Sequence, residues 1–152
     1  MQRDEGLPPP PQAWFFVLDA GRARLLTCRR AAFERLRVEE LSALAYEPEP
    51  HQRGRPSPRT GKSGKTYASL GREDEHQIRR FAKEVEDWIE AHVERIDAPR
   101  IALFAAPRFL GELRKLLTPS LAKRLEERPA DLTHLSTSDL AKHPSVAELL
   151  PA

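Results

Sequence analysis

The chain has 152 residues, with 25 Lys plus Arg against 23 Asp plus Glu and a formal net charge of +2. That length suits one ordinary domain, and so small a net charge is no nucleic-acid signature by itself, so the distribution of charge must carry any such signal. A solitary Cys28 excludes an intramolecular disulfide and fits a reducing cytoplasm, no Cys/His cluster has zinc-site spacing, and the longest apolar runs, Trp14 to Leu18 and Ile101 to Ala106, are far too short to span a bilayer.

Residues 1–12 read as a disordered or polyproline II tail, because charged residues lead into Pro8, Pro9, Pro10 and Pro11 with no apolar stretch resembling a signal peptide. Residues 13–152 read as a single α/β domain. Trp14 to Leu18 is a strand candidate, Asp19-Ala20-Gly21-Arg22 has turn chemistry, and Ala23 to Cys28 forms a second strand, so the pair predicts an antiparallel hairpin. Leu36, Val38 and Leu41 alternate with charged residues as a third strand does, although Glu39-Glu40-Leu41 equally suits the start of a helical turn.

At about 48–72 the pattern gives way to a long basic loop of Pro, Gly, Ser and cationic residues, a length that in compact domains signals function or disorder. Arg53, Arg55, Arg59, Lys62, Lys65 and Arg72 lie in it, and no acidic residue stands between Pro50 and Arg72. Glu73 opens a predicted helix: Ile78, Phe81, Val85, Trp88, Ile89 and Val93 share one face, and Glu73, Asp74 and Glu75 suit its positive end.

Ile101 to Ala106 shows no alternation, as expected of a strand covered on both faces. Pro107 then starts a helix in which Phe109, Leu110, Leu113, Leu116 and Leu117 recur at helical spacing. In a mostly parallel sheet this junction lies at the carboxyl end of a strand, where open α/β folds bind their ligands. Thr118-Pro119 predicts a break into a further helix through Leu121 and Leu125, Leu132 a short edge strand, and Ser136 with Asp139 a helix cap. Pro144 interrupts the last helix, which resumes over Val146 to Leu150. The element order predicts a mixed sheet with helices on its faces, and it is also the order of ribonuclease H-like folds.

Enzyme chemistry finds little support. Gly61-Lys62-Ser63-Gly64-Lys65-Thr66 invites a P-loop reading, but Pro56 and Arg59 stand where each register needs its first glycine, and the approach is Arg-Pro-Ser-Pro-Arg rather than a buried strand. Two-metal nuclease chemistry needs carboxylates converging from strand ends; Asp19 supplies one, while the Ala105-Ala106-Pro107 end supplies none. The five histidines form no Ser/His/Asp or Cys/His set, which leaves a hydrolase built on Asp19 and His134 as a weak third hypothesis. The remaining constellation is electrostatic: the amino end of the Arg108 helix, joined by the basic loop, would attract an anion.

Several motifs resemble the bacterial family of host attachment proteins. Ala106-Pro107-Arg108-Phe109-Leu110-Gly111-Glu112-Leu113-Arg114 is the best match, with Val17 to Leu25 resembling the family's opening hairpin apart from the intervening Ala20. Gly64-Lys65-Thr66-Tyr67, Phe81-Ala82 and Asp131-Leu132-Thr133-His134 are similar to further motifs, although Ala130 replaces a family lysine. The resemblance implies a fold similar to the middle domain of archaeal and eukaryotic peptide-release factors and Pelota, and so a translation-related ancestry. No Gly-Gly-Gln occurs, so peptidyl-tRNA hydrolysis is not carried over.

The sequence therefore predicts a noncatalytic, cytoplasmic binding protein without cofactor or metal. Its anion- or RNA-binding residues are Arg53, Arg55, Arg59, Lys62, Lys65, Arg72 and Arg108, and its partner is RNA or the ribosome. The alternative is a protein-interaction or cell-surface attachment factor for host cells, in which the loop and proline tail meet another protein or a surface polysaccharide.

Overall fold

Phe15, Phe16, Val17 and Leu18 are all fully buried, and alternate members of this run enter two different cores. Phe16 and Leu18 pack in one and Phe15 and Val17 in the other, as the period-two geometry of a strand dictates. The computed structural model describes residues 12–31, 35–48 and 63–150, with side chains in the long helix from Glu75 onward.

The central strand β1 (Gln12–Leu18) pairs antiparallel with β2 (Arg22–Arg30), which pairs antiparallel with β3 (Leu36–Ala45). On its other side β1 pairs in parallel with β4 (Ile101–Ala105), and β4 in parallel with β5 (Leu125–Pro129). The order β3-β2-β1-β4-β5 makes one mixed sheet in which β2 alone runs against the rest. The carboxyl ends of β1, β3, β4 and β5 therefore share one edge with the start of β2.

One face is covered by the long helix α1 (Ser63–Val93) and by α2 (Pro107–Arg114), with α3 (Pro119–Arg124) beside them. Ile78, Phe81, Val85 and Ile89 of α1 meet Phe109, Leu110 and Leu113 of α2 over Leu103 and Leu25. The other face is covered by Leu132, by Leu140 of α4 (Thr137–Lys142), by Val146 of α5 (Pro144–Ala147) and by Leu150. There Phe15 and Phe104 stand edge to face at 6.0 Å, a geometry the ring quadrupoles favour. Cys28 lies in the same core, and burial pushes its thiol up to about 11, which makes it an inert packing residue.

Four expectations are corrected. First, α1 begins at Ser63 rather than Glu73, so Lys65 and Arg72 belong to its backbone, while residues 49–62 of the expected basic loop lie outside the described residues. No proline interrupts Ser63 to Val93, and a helix already anchored by packing extends at one hydrogen bond per residue, tolerating Gly64 and Gly71 at roughly 1 kcal/mol each. Second, Leu125 starts strand β5 instead of continuing a helix, and Leu132 is buried in a turn. Pairing with β4 decides this, because Leu125 is the one buried residue of a strand whose Glu126, Glu127 and Arg128 give no apolar alternation. Third, Gln12, expected in the tail, begins β1, while residues 1–11 lie outside the described residues. Fourth, Pro144 is the first residue of the short helix α5, which buries Val146, rather than an interruption of a longer one. The ambiguous Glu39 to Leu41 resolves as strand with a bulge: Leu25 pairs with Ser42 and Leu26 with Glu40, leaving Leu41 as the extra residue, half exposed.

Two side-chain caps follow the sequence. Thr118 Oγ1 accepts from Leu121 N–H at 3.2 Å and Ser136 Oγ from Asp139 N–H at 3.0 Å. Gly111, inside α2, has nothing within 4 Å of the place a Cβ would occupy. Gly111→Ala is therefore expected to stabilise the protein by about 0.5–1 kcal/mol, read as a higher urea midpoint at unchanged m-value; a lower midpoint would contradict this packing.

Among the described side chains of α1, Glu86 is the buried carboxylate. Burial pushes its pKa above the ordinary carboxylate value, with Asp87 and Glu90 adding to the shift and Lys83 opposing it. Below the ordinary range Glu86 is protonated in both folded and unfolded chains; as pH rises the folded chain holds the proton longer, so stability falls. Glu86→Gln is expected to raise stability more at about pH 7 than at about pH 4, checked by urea unfolding at both; equal effects would contradict it.

Candidate functional site

The shared edge of the sheet is organised by the turn that leaves β1. Asp19 Oδ1 accepts from the N–H groups of Gly21 at 2.8 Å and Arg22 at 2.9 Å, and Asp19 N–H donates to the Arg22 carbonyl at 2.9 Å. This Asx turn reverses the chain without help from glycine geometry. A Cβ on Gly21 would meet only Asp19 Oδ1, at an ordinary 3.7 Å.

The other carboxylate oxygen of Asp19 reaches across the edge. Thr133 Oγ1 donates to Asp19 Oδ2 at 2.5 Å and lies 3.2 Å from Asp131 Oδ1. Thr133 is buried, so this charge-assisted bond has little competition from water. The same segment is held by Arg24, whose Nη1 donates to the carbonyls of Thr133 at 3.0 Å and Leu135 at 2.7 Å while its Nε pairs with Glu40 at 2.8 Å. From the other face of the sheet, Gln77 of α1 donates to the Ala20 carbonyl at 2.9 Å. The turn is thus tied to both helical layers.

Beside it, Ala106 N–H donates to the Leu18 carbonyl at 3.3 Å, continuing the β1–β4 pairing up to the start of α2. Ala106 is the N-cap of α2 and offers no capping side chain, so the positive end of that helix is left to other partners. An open cleft of about 580 Å³ lies here, lined by Asp19, Gly21, Arg22, Ile78, Arg108 and Phe109 among others. Arg22 is exposed, and among the described residues its guanidinium makes no hydrogen bond or ion pair. Arg108 Nη2 lies 3.8 Å from Glu75 Oε2 of α1, with both side chains more than half exposed.

The seven cations expected at an anion site are therefore distributed as follows. Arg108 lines the cleft and contacts Glu75. The backbone of Arg72 lies one helical turn before Glu75, and that of Lys65 further along α1 toward its amino end. Arg53, Arg55, Arg59 and Lys62 lie outside the described residues. Arg22, Arg24 and Thr133 were not singled out from sequence; the available signals were the position of Arg22 immediately after a turn and the placement of Thr133 in the Asp-Leu-Thr-His motif.

Among the described residues, the Asp19–His134 pair needed for a hydrolase is not formed. The Thr133 hydroxyl, not the exposed His134 imidazole, meets Asp19, and both Asp19 oxygens are occupied by turn and tether. The described acids that gather most closely, Glu86, Asp87 and Glu90, lie within 4.8 Å of one another on α1, where Lys83 Nζ stands 3.7 Å from Glu86 and 3.6 Å from Asp87. Replacing Thr133 by Val, which keeps shape and removes the hydroxyl, is expected to cost about 1.5–3 kcal/mol, whereas Thr133→Ser should retain most of the stability. Urea unfolding of both variants checks this, and a Val variant as stable as the parent would show that the tether contributes nothing.

The chain matches the family model described as "Protein required for attachment to host cells" over residues 14–143, and it belongs to that family. No curated protein matches it. The matched region runs from β1 through the Asp19 turn and α2 to the C-cap of α4.

Proposed function

We propose that the chain is a noncatalytic binding protein whose cleft at the carboxyl edge of the sheet takes the phosphate backbone of RNA, as in a ribosome-associated factor. The observation that carries this reading is the pair Arg22 and Arg108 lining one open cleft at the uncapped amino end of α2. Backbone N–H groups at such an end and guanidinium groups beside it both favour phosphate oxygens.

The ion pair between Arg108 and Glu75 is compatible with this. At 3.8 Å and more than half exposed on both sides, such a contact is worth roughly 0–1 kcal/mol, so a phosphate that displaces Glu75 loses little. Arg72 and Lys65 precede Glu75 on the same helix, and Arg53, Arg55, Arg59 and Lys62 precede that helix in sequence. The cations that the reading needs thus share the chain segment that leads to Glu75, one of Arg108's partners. A relation to release-factor middle domains and to ribonuclease H-like folds belongs to this proposal; the strand order with β2 alone reversed supports it, as does the motif resemblance around Arg108.

The family description favours a second reading, an attachment or protein-interaction factor whose cleft takes an acidic group of a host-cell surface. The two separate by experiment. Fluorescence anisotropy with a labelled RNA oligonucleotide is expected to show salt-dependent binding, with the Arg22→Glu/Arg108→Glu double variant at least about tenfold weaker and its log–log salt slope shallower by about 2. A parent that binds no RNA, or a double variant that binds like the parent, would reject the RNA reading. Recovery of the protein from the exterior of intact cells would favour the second.

A further inference from the structure

The two edges of the sheet are finished differently. β5 ends in Pro129, and its charged side chains pair within the chain: Arg128 with Glu126 at 2.7 Å and Glu127 with Arg114 at 2.7 Å. Proline and internally satisfied charges are ordinary protection for a sheet edge. β3 has no proline, and among the described residues no strand pairs with its outer edge, although α4 packs against β3 beside Leu36 and Val38. Its stretch before the bulge, Leu36 to Glu40, keeps regular register with β2, so alternate backbone groups face outward in a straight, pairable row. The bulge at Leu41 bends the strand and ends that row.

The charges of this stretch are arranged for self-pairing. In an antiparallel pair of identical strands related by a two-fold axis normal to the sheet, the residue on the axis faces itself, and its neighbours face each other. Centring on Leu36 opposes Arg35 to Arg37; centring on Arg37, Glu39 or Glu40 opposes each to its own copy. All four place like charges directly opposite, which is destabilising. Centring on Val38 is the register that does not. It sets Arg37 against Glu39 twice, Val38 against Val38, and Leu36 against Glu40, whose carboxylate is already neutralised by Arg24 at 2.8 Å. Arg37 and Glu39 are also available: within one chain they touch only loosely, at 3.8 Å, with side chains 58% and 48% exposed.

We infer that the outer edge of β3 is a dimerisation surface whose occupant is β3 of a second copy of this chain, antiparallel and centred on Val38. The product is a continuous ten-stranded sheet, and the surface lies on a different edge from the Arg22–Arg108 cleft. Because the interface is short and its specific contacts are exposed ion pairs, the dimer is weak and salt-sensitive.

Charge reversal tests the pairing without touching the core. Sedimentation velocity of the full chain over a concentration series is expected to show a monomer–dimer equilibrium. Arg37→Glu alone and Glu39→Arg alone should each raise the dimer Kd about tenfold or more, since each puts like charges opposite twice. An equimolar mixture of the two single variants should dimerise as the parent does, because opposite charges then face each other at both positions. Circular dichroism melts confirm that each variant is folded, as expected for exposed sites. A parent that is monomeric throughout, single reversals that leave its dimer unchanged, or a mixture that stays monomeric would each overturn the inference.

Discussion

The carboxylate of Asp19 is the constraint on which the carboxyl edge depends. One oxygen closes the β1–β2 turn through two backbone N–H groups, and the other receives the Thr133 hydroxyl. The Thr133 bond joins residues distant in sequence but adjacent in the fold, and it ties the segment leading into α4 to the hairpin at the centre of the sheet. Arg22, the last residue of the turn, takes its place at the cleft as a consequence. An anion-binding group is more effective when its backbone is held before the ligand arrives, since less ordering entropy is lost on binding.

The parallel pairing of β1 and β4 supplies the other half. It brings Ala106 within hydrogen-bonding distance of Leu18 and so sets the start of α2 beside the Asp19 turn. Burial on both faces explains why these two strands are continuous apolar runs, while β3, at the edge, carries Arg37, Glu39 and Glu40. Arg108 faces solvent because Phe109, Leu110 and Leu113 take the buried side of the same short helix. The Asp19 turn and the start of α2 therefore line one cleft.

Hydrophobic runs made much of this legible from sequence. β1, β2, β4, the apolar face of α1 from Ile78 onward and the Pro107 start of α2 all follow from residue pattern, because burial of those side chains is what forms the elements. β5 was not legible, since its strand state comes from hydrogen bonds to β4 rather than from its own side chains. Nor was the first part of α1, where Gly64, Gly71 and the surrounding cations have loop-like composition. At the candidate site, Arg108 could be read from a local motif. The Asp19–Thr133 tether could not, because it spans the whole domain and neither residue type announces its partner.

The most direct test of the account is a ¹⁵N-resolved NMR titration of the chain with a short RNA oligonucleotide. Amide shifts concentrated at Gly21, Arg22, Arg108 and Phe109 are the expected result, with β5 and the carboxyl half of α1 undisturbed. Shifts confined to other surfaces, leaving the residues around the Asp19 turn and the start of α2 unchanged, would contradict it.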